Sequence, residues 1–108
     1  MVDSFTIQNV EVGGGHPFFI LGPCGLESEE FAWEMARALT EISSRLDVPL
    51  LFKASYDKAN RTAIDSYRGP GVKAGCRILG EIGRELGIPV TTDIHTAEEA
   101  AIAAEHVD

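Results

Sequence analysis

The chain has 108 residues, of which 44% are hydrophobic and 24% are charged, an ordinary composition for globular protein of one domain or less. Seventeen acidic residues against nine basic residues give a formal net charge of -8, which argues against general binding to nucleic acid or to an anionic membrane. The first residues lack the basic and then apolar pattern of an export signal, so we expect a cytoplasmic protein whose two cysteines, Cys24 and Cys76, are reduced. The expected partners are small molecules or other protein subunits.

The N-terminal residues predict a short β-hairpin followed by a flexible link. Residues 5–7 and 10–12 each alternate apolar with polar side chains, and Gln8 and Asn9 between them suit a turn. Three consecutive glycines follow. We therefore interpret residues 1–15 as a hairpin and link that precede the rest of a single domain.

A first strand and a first helix follow the link. Residues 18–21 form a compact apolar run that stops at Gly22, which is typical of a strand buried on both faces. Ser28 is a good N-cap, and the apolar residues after it recur at helical spacing, which predicts a helix to about Leu46. Residues 49–52 then predict the second strand.

The second and third units repeat this order. A helical pattern begins at Val72 and ends at Gly87, a suitable C-cap. Residues 88–92 predict a third strand, after which Thr96 and Glu99 match the capping box of a short helix. The last three residues are typical of the approach to a fourth strand.

The ends of the two long helices share one pattern, which indicates a repeated unit. Residues 45–50 are RLDVPL and residues 85–90 are ELGIPV. Strands that alternate with helices imply parallel pairing, in either an open doubly wound sheet or a closed barrel. A (β/α)8 TIM barrel needs about 250 to 300 residues, so on the barrel interpretation residues 16–108 hold its first three units.

Reactive side chains follow all three predicted strands. Cys24 follows the first strand, Lys53 and Ser55 end the second, and Asp93 and His95 end the third. Active sites of parallel barrels form at the carboxyl ends of the strands, so these side chains predict a site. Alternatives remain open, because a lone cysteine is more often a small buried group and an Asp-His pair is often structural.

The segment from residue 53 to residue 71 is locally basic in an acidic chain, which suits an anion. Its basic and neutral donors are Lys53, Lys58, Arg61, Arg68, Ser55, Asn60 and Thr62. Arginine supplies forked donors for phosphate and lysine a compact charge, while hydroxyl and amide groups orient sugar or phosphate oxygens. The alternative is a solvated loop.

Three sequence strings, GPCGLESEE, LFKASYDKANRTAIDSYRGPG and PVTTDIH, resemble the 3-deoxy-D-manno-octulosonate 8-phosphate synthase (2-dehydro-3-deoxyphosphooctonate aldolase) family. The resemblance implies a barrel enzyme that condenses phosphoenolpyruvate with arabinose 5-phosphate for lipopolysaccharide biosynthesis, and a homo-oligomeric full-length parent. Related 3-deoxy-7-phosphoheptulonate synthases carry a Lys-Pro-Arg-Thr type motif after the second strand, where this chain has Lys-Ala-Ser.

The resemblance also implies roles for five residues: Lys53 and Lys58 belong to the phosphoenolpyruvate and aldehyde region, and Asn60, Arg61 and Thr62 to the arabinose phosphate site. The reaction also needs a group that places water or relays a proton, for which Asp93 and His95 are suited, so the expected catalytic residues are Lys53, Lys58, Asp93 and His95. The hydroxyl of Ser55 joins Asn60, Arg61 and Thr62 as an expected substrate-binding group. Thr62 stands where the family usually has serine, and it keeps the hydroxyl group.

A divalent metal is implied by Cys24. Members of the family with cysteine after Gly-Pro use zinc, iron, manganese or cobalt, whereas members with asparagine need no metal. A metal site usually needs at least three protein ligands, so the other ligands are expected on later strands, beyond Asp108.

Other functions remain open beside this one. One is a 3-deoxy-7-phosphoheptulonate synthase-like reaction in the same barrel, and another is a Schiff-base aldolase with Lys53 as its amine nucleophile. A non-enzymatic alternative is a truncated module that only binds phosphate or pairs with another barrel fragment.

Overall fold

The computed structural model describes residues 3–57 and 69–108. Within these ranges the chain forms a two-stranded hairpin, a three-stranded parallel sheet and three helices. The elements in chain order are β1 (Phe5–Ile7), β2 (Val10–Val12), β3 (Phe19–Leu21), α1 (Glu29–Leu46), β4 (Leu50–Lys53), α2 (Val72–Leu86), β5 (Val90–Thr91) and α3 (Ala97–Ala103). The predicted α/β class is confirmed. No helix in the described part of the chain is long and apolar enough to cross a bilayer.

Local sequence determines both ends of α1. The hydroxyl of Ser28 accepts a hydrogen bond of 3.0 Å from the backbone N–H of Phe31, which satisfies one of the free donors of the first turn. At the other end, Asp47 adopts the left-handed conformation, with φ 54° and ψ 50°. The predicted helix from Ser28 to about Leu46 is therefore confirmed.

The repeated pattern at the helix ends marks the entry to each following strand. Gly87 closes α2 in the left-handed conformation, with φ 66°, as Asp47 closes α1. The carbonyl of Pro49 then accepts a hydrogen bond from the N–H of Phe19, and the carbonyl of Pro89 accepts one from Phe52, both at 3.0 Å. Each proline thus joins its strand to the preceding strand of the sheet.

The core lies between the parallel sheet and the long helices. The sheet has the order β3-β4-β5, and Phe52 on β4 pairs in register with Val90 on β5. Both side chains are buried, and burial of an apolar side chain of this size stabilises the fold by about 1.5–3 kcal/mol. The other buried members of the core are Leu26, Ala32, Ala36, Ala54, Tyr56, Cys76, Ile78, Leu79, Ile82, Ile88 and Ala103. Because side chains alternate along a strand, Lys53 projects from the opposite face to Phe52, away from this core.

The environment of β3 differs from the prediction. Phe19, Ile20 and Leu21 are 41%, 50% and 44% exposed. Among the described residues β3 pairs only with β4, so it is an edge strand. The predicted burial on both faces is wrong here, because an edge strand lacks both a second neighbour and a layer that covers its free side.

Smaller differences concern strand ends. β4 begins at Leu50 rather than at Pro49, because proline has no N–H to donate to the ladder. β5 covers only Val90–Thr91 instead of residues 88–92, since it pairs with β4 over two positions.

The N-terminal hairpin has the predicted strands and lies against the amino end of the sheet. Nε2 of Gln8 donates hydrogen bonds of 3.1 Å to both carboxylate oxygens of Asp108. Asp108 in turn bonds to Val90, since its N–H donates to the Val90 carbonyl at 2.9 Å and its carboxylate accepts from the Val90 N–H at 3.0 Å. Pro49 and Pro89 line one cleft at this end of the strands.

Candidate active site

The register of the sheet brings Ser55 to Asp93. Lys53 is paired with Thr91, so two residues further along each segment Ser55 and Asp93 come level. The hydroxyl of Ser55 donates a hydrogen bond of 2.5 Å to Oδ1 of Asp93. The contact thus follows from strand pairing, although the two residues are far apart in the sequence.

Two further predicted side chains surround the same carboxylate. Nζ of Lys53 lies 3.9 Å from Oδ1 of Asp93, and Nε2 of His95 lies 3.8 Å from Oδ2. We call Lys53, Ser55, Asp93 and His95 the strand-end cluster. It lies at the carboxyl ends of β4 and β5, at the end of the sheet opposite the hairpin.

The surroundings of Asp93 favour its ionised form. Partial burial disfavours the charge, but the Ser55 hydrogen bond, a backbone N–H and the nearby Lys53 and His95 together outweigh burial and hold the pKa of Asp93 below its usual value. The side chains of Lys53 and Asp93 are 40% and 45% exposed, so solvent screens their ion pair, which adds little to stability. The cluster therefore combines a carboxylate, an imidazole and an accessible ammonium group, which suits proton transfer and anion binding.

Cys24 lies in the segment after β3, which runs alongside the end of β4. Gly22 approaches the backbone of Lys53 so closely that a side chain at position 22 would collide with it. Further on, the N–H of Leu26 donates a hydrogen bond of 3.0 Å to the carbonyl of Ser55. Cys24 lies between these two contacts, at the same end of the sheet as the strand-end cluster.

The two cysteines have different environments. The thiol of Cys24 is free and exposed, so the alternative of a small buried group is wrong for this residue. Cys76 is buried in the core, and this burial raises the pKa of its thiol. Only Cys24 is therefore placed to act on a ligand.

An exposed thiol at the carboxyl end of a strand is a suitable donor for a borderline or soft metal ion. Within residues 3–57 and 69–108, however, no three His, Cys, Asp or Glu side chains are grouped so as to hold a metal. The fit to a metal is therefore partial: Cys24 can supply one ligand, and a complete site requires others from elsewhere.

Four predicted site residues lie outside the described residues, namely Lys58, Asn60, Arg61 and Thr62. Their roles stay predictions.

The structure adds Tyr56 and Glu99 to the site, although the sequence indicated Glu99 only as part of a capping box and gave no site role to Tyr56. The buried Tyr56 hydroxyl donates a hydrogen bond of 2.6 Å to Oε1 of Glu99, and the same oxygen accepts one of 3.3 Å from the N–H of His95. The predicted capping box is wrong, since the Thr96 side chain makes no capping hydrogen bond. Glu99 is held by Tyr56 and His95 instead. Glu99 lies only four residues after His95, so their contact could have been found from the local sequence. Nothing in the local sequence indicates the contact of Glu99 with Tyr56.

Comparison with known proteins gives consistent matches over the whole chain. A family model described as the DAHP synthetase I family matches residues 3–108. A protein of Koribacter versatilis named 2-dehydro-3-deoxyphosphooctonate aldolase is 46% identical over 108 residues, which cover 100% of this chain and 39% of the relative. Proteins of the same name from Acidithiobacillus ferrooxidans (50% over 99 residues, 91% of this chain and 35% of the relative) and Trichlorobacter lovleyi (47% over 109 residues, 100% and 40%) are similar. The chain thus spans about two fifths of the length of these curated relatives.

Proposed function

Because the chain belongs to the DAHP synthetase I family, we propose that it forms part of the active site of a 3-deoxy-D-manno-octulosonate 8-phosphate synthase. The enzyme condenses phosphoenolpyruvate with arabinose 5-phosphate and releases inorganic phosphate. The names of the similar proteins support this reaction. The observation that carries the proposal is the strand-end cluster, in which side chains from two strands surround one carboxylate.

The proposal includes a (β/α)8 barrel, of which this chain contributes the first three strand-helix units. The parallel order β3-β4-β5 supports it, as does the exposed apolar edge of β3, which is where a barrel would place another strand. The hydrogen bond from Asp108 to Val90 supports a further strand beside β5.

The reaction makes three demands on the protein. The enol carbon of phosphoenolpyruvate must meet the sugar aldehyde, water must attack the carbon that bears the phosphate, and the departing phosphate must be stabilised. Lys53 and Lys58 attract and orient the anionic substrates. Asp93 and His95 position the water or transfer its proton, for which the ionised Asp93 and the adjacent imidazole are suited.

The second substrate is assigned to the basic segment after β4. We propose that Asn60, Arg61 and Thr62 bind arabinose 5-phosphate, with Arg61 as the forked donor to its phosphate. Ser55 belongs to the same binding region, and its hydroxyl also holds Asp93 in place.

A divalent metal ion would complete the proposed site. Cys24 would supply one ligand, and the rest of the protein would supply the others. Zinc, iron, manganese or cobalt would act as a Lewis acid that polarises a substrate oxygen.

A Schiff-base aldolase is less well supported. Nζ of Lys53 lies 3.9 Å from Oδ1 of Asp93 among polar groups that suit the binding of an anionic substrate. Borohydride reduction with substrate present would leave a covalent adduct on Lys53 only if that mechanism operates.

The test is phosphate release by the full-length enzyme that contains this chain. We expect turnover with phosphoenolpyruvate and arabinose 5-phosphate together, and none when either is omitted. A four-carbon aldose phosphate is the alternative substrate to compare, because its condensation with phosphoenolpyruvate gives a seven-carbon product. Faster turnover with the four-carbon sugar would indicate a 3-deoxy-7-phosphoheptulonate synthase instead.

A further inference from the structure

Tyr56 and Glu99 form a partly buried contact beside His95 of the strand-end cluster. Tyr56 follows Ser55 at the end of β4 and is only 1% exposed. Glu99 lies in the first turns of α3, four residues after His95. Their hydrogen bond therefore joins the end of β4 to the helix that follows β5.

Both residues contact His95, Tyr56 through the imidazole ring and Glu99 through the backbone. The aromatic ring of Tyr56 packs edge to face against the imidazole, with 5.3 Å between ring centroids. Oε1 of Glu99 accepts the backbone N–H of His95. The ring contact fixes the orientation of the imidazole, and the backbone contact fixes the turn that carries it.

We propose that Tyr56 and Glu99 are positioning residues that hold His95 in its place beside Asp93. This inference rests on the proposed function in one respect, since it assigns a catalytic consequence to the position of His95. Two donors, the Tyr56 hydroxyl and the His95 N–H, meet at Oε1 of Glu99, so loss of the Tyr56 hydroxyl or of the Glu99 carboxylate should loosen the turn between β5 and α3.

The protonation of Tyr56 agrees with this geometry. Burial, and then the hydrogen bond and charge of Glu99, raise the pKa of the Tyr56 hydroxyl above its usual value, so it remains a donor. The role of Glu99 is to accept two hydrogen bonds, and a neutral amide oxygen can also accept them. A glutamine at position 99 should therefore preserve the contact, and an alanine should abolish it.

The test compares Tyr56→Phe, Glu99→Ala and Glu99→Gln in the full-length enzyme. Tyr56→Phe keeps the ring and removes only the hydroxyl. Glu98→Gln is the matched control, because Glu98 is exposed in the same turn of α3. The measurements are kcat, both KM values and hydrogen exchange at the backbone amide of His95.

We expect Glu99→Ala to lower kcat and to speed exchange at His95, each about tenfold, as loss of a hydrogen-bonded contact implies, with both KM values within about twofold. Tyr56→Phe should give a smaller change in the same direction, and Glu99→Gln should recover most of the parent kcat and protection. Glu98→Gln should match the parent.

Two outcomes overturn the inference. One is unchanged exchange at His95 in both Glu99→Ala and Tyr56→Phe, and the other is a kcat that stays at the parent value while exchange accelerates. Hydrogen exchange is measured without substrate, so it tests the contact independently of the reaction. If the parent enzyme is inactive but exchange at His95 accelerates in Glu99→Ala, the proposed reaction is overturned and the positioning contact is established.

Discussion

Ser55 and Asp93 share a hydrogen bond of 2.5 Å that joins the carboxyl ends of β4 and β5. We predict that Ser55→Ala raises the pKa of Asp93, because the carboxylate loses a donor that favours its charged form. The kcat of the full-length enzyme should fall about threefold to tenfold. Titration of the Asp93 carboxyl by NMR and steady-state kinetics measure the two effects. Ser44→Ala, at an exposed position near the end of α1, is the control, and an unchanged pKa of Asp93 in Ser55→Ala would contradict the prediction.

The ionised form of Asp93 should make stability depend on pH in the acid range. Its pKa is lower in the folded protein than in the unfolded chain, so its contribution is present above the unfolded value of about 4 and is lost as pH falls through the lower folded value. Asp93→Asn removes this ionisation. Urea unfolding of parent and variant should therefore differ most near pH 6, and the difference should shrink toward pH 2. A gap in unfolding free energy that is the same at both pH values would show that the charge is not the cause.

Arg61 is proposed to bind the phosphate of arabinose 5-phosphate. Arg61→Ala should weaken the binding of that substrate by about 1.5–3 kcal/mol, the usual cost of losing a charge-assisted hydrogen bond. It should weaken the binding of phosphoenolpyruvate less. The two KM values measure this separately. Arg84→Ala, at an exposed position on α2, is the control. If Arg61→Ala changes both KM values equally, or changes neither, the alternative that Arg61 lies in a solvated loop is favoured instead.

Metal dependence should rest on Cys24. Cys24→Ala should abolish metal retention and activity together. Cys24→Asn introduces the residue that metal-independent members of the family carry at this position, and it should retain some turnover that chelators no longer suppress. Metal content per chain after dialysis, with kinetics with and without chelator, measures both. Cys76→Ala is the control, because the buried Cys76 should affect stability and leave metal content unchanged. Full activity of the parent in chelator would refute the role of Cys24.

The exposed edge of β3 should govern the behaviour of residues 1–108 produced alone. Phe19, Ile20 and Leu21 present apolar surface on an edge strand whose outer side is unpaired among the described residues, which favours association. We expect the segment to bind an apolar dye and to sediment as more than a monomer, and Ile20→Thr should reduce both effects. A monomer that unfolds sharply and binds no dye would contradict this expectation.

Local sequence predicted the helices well, because their ends depend on nearby residues. Ser28 caps α1 through a hydroxyl three residues from its partner, and Gly87 ends α2 through its own left-handed backbone. The burial of β3 was not predictable in the same way, because it depends on which strands lie beside it.

The same division applies to the candidate site. Polar residues after strands predicted where Lys53 and Asp93 would lie, because parallel strands end at one edge of a sheet. The partner of Glu99 was not predictable, since the carboxylate had a local alternative in the capping box and the Tyr56 hydroxyl reaches it from another strand. Whether the Glu99 carboxylate binds its nearby capping-box partner or the distant Tyr56 hydroxyl is decided only when the chain is folded.

The contact between Gln8 and Asp108 has a consequence for the order of events during synthesis. The two residues are 100 positions apart, so the hairpin cannot reach this partner until the ribosome has added about 100 residues after Gln8, which takes about 5–20 s at common rates of elongation. The hairpin itself forms from neighbouring residues within microseconds. The hydrogen bonds between Gln8 and Asp108 should therefore be among the last contacts of this region to form during synthesis.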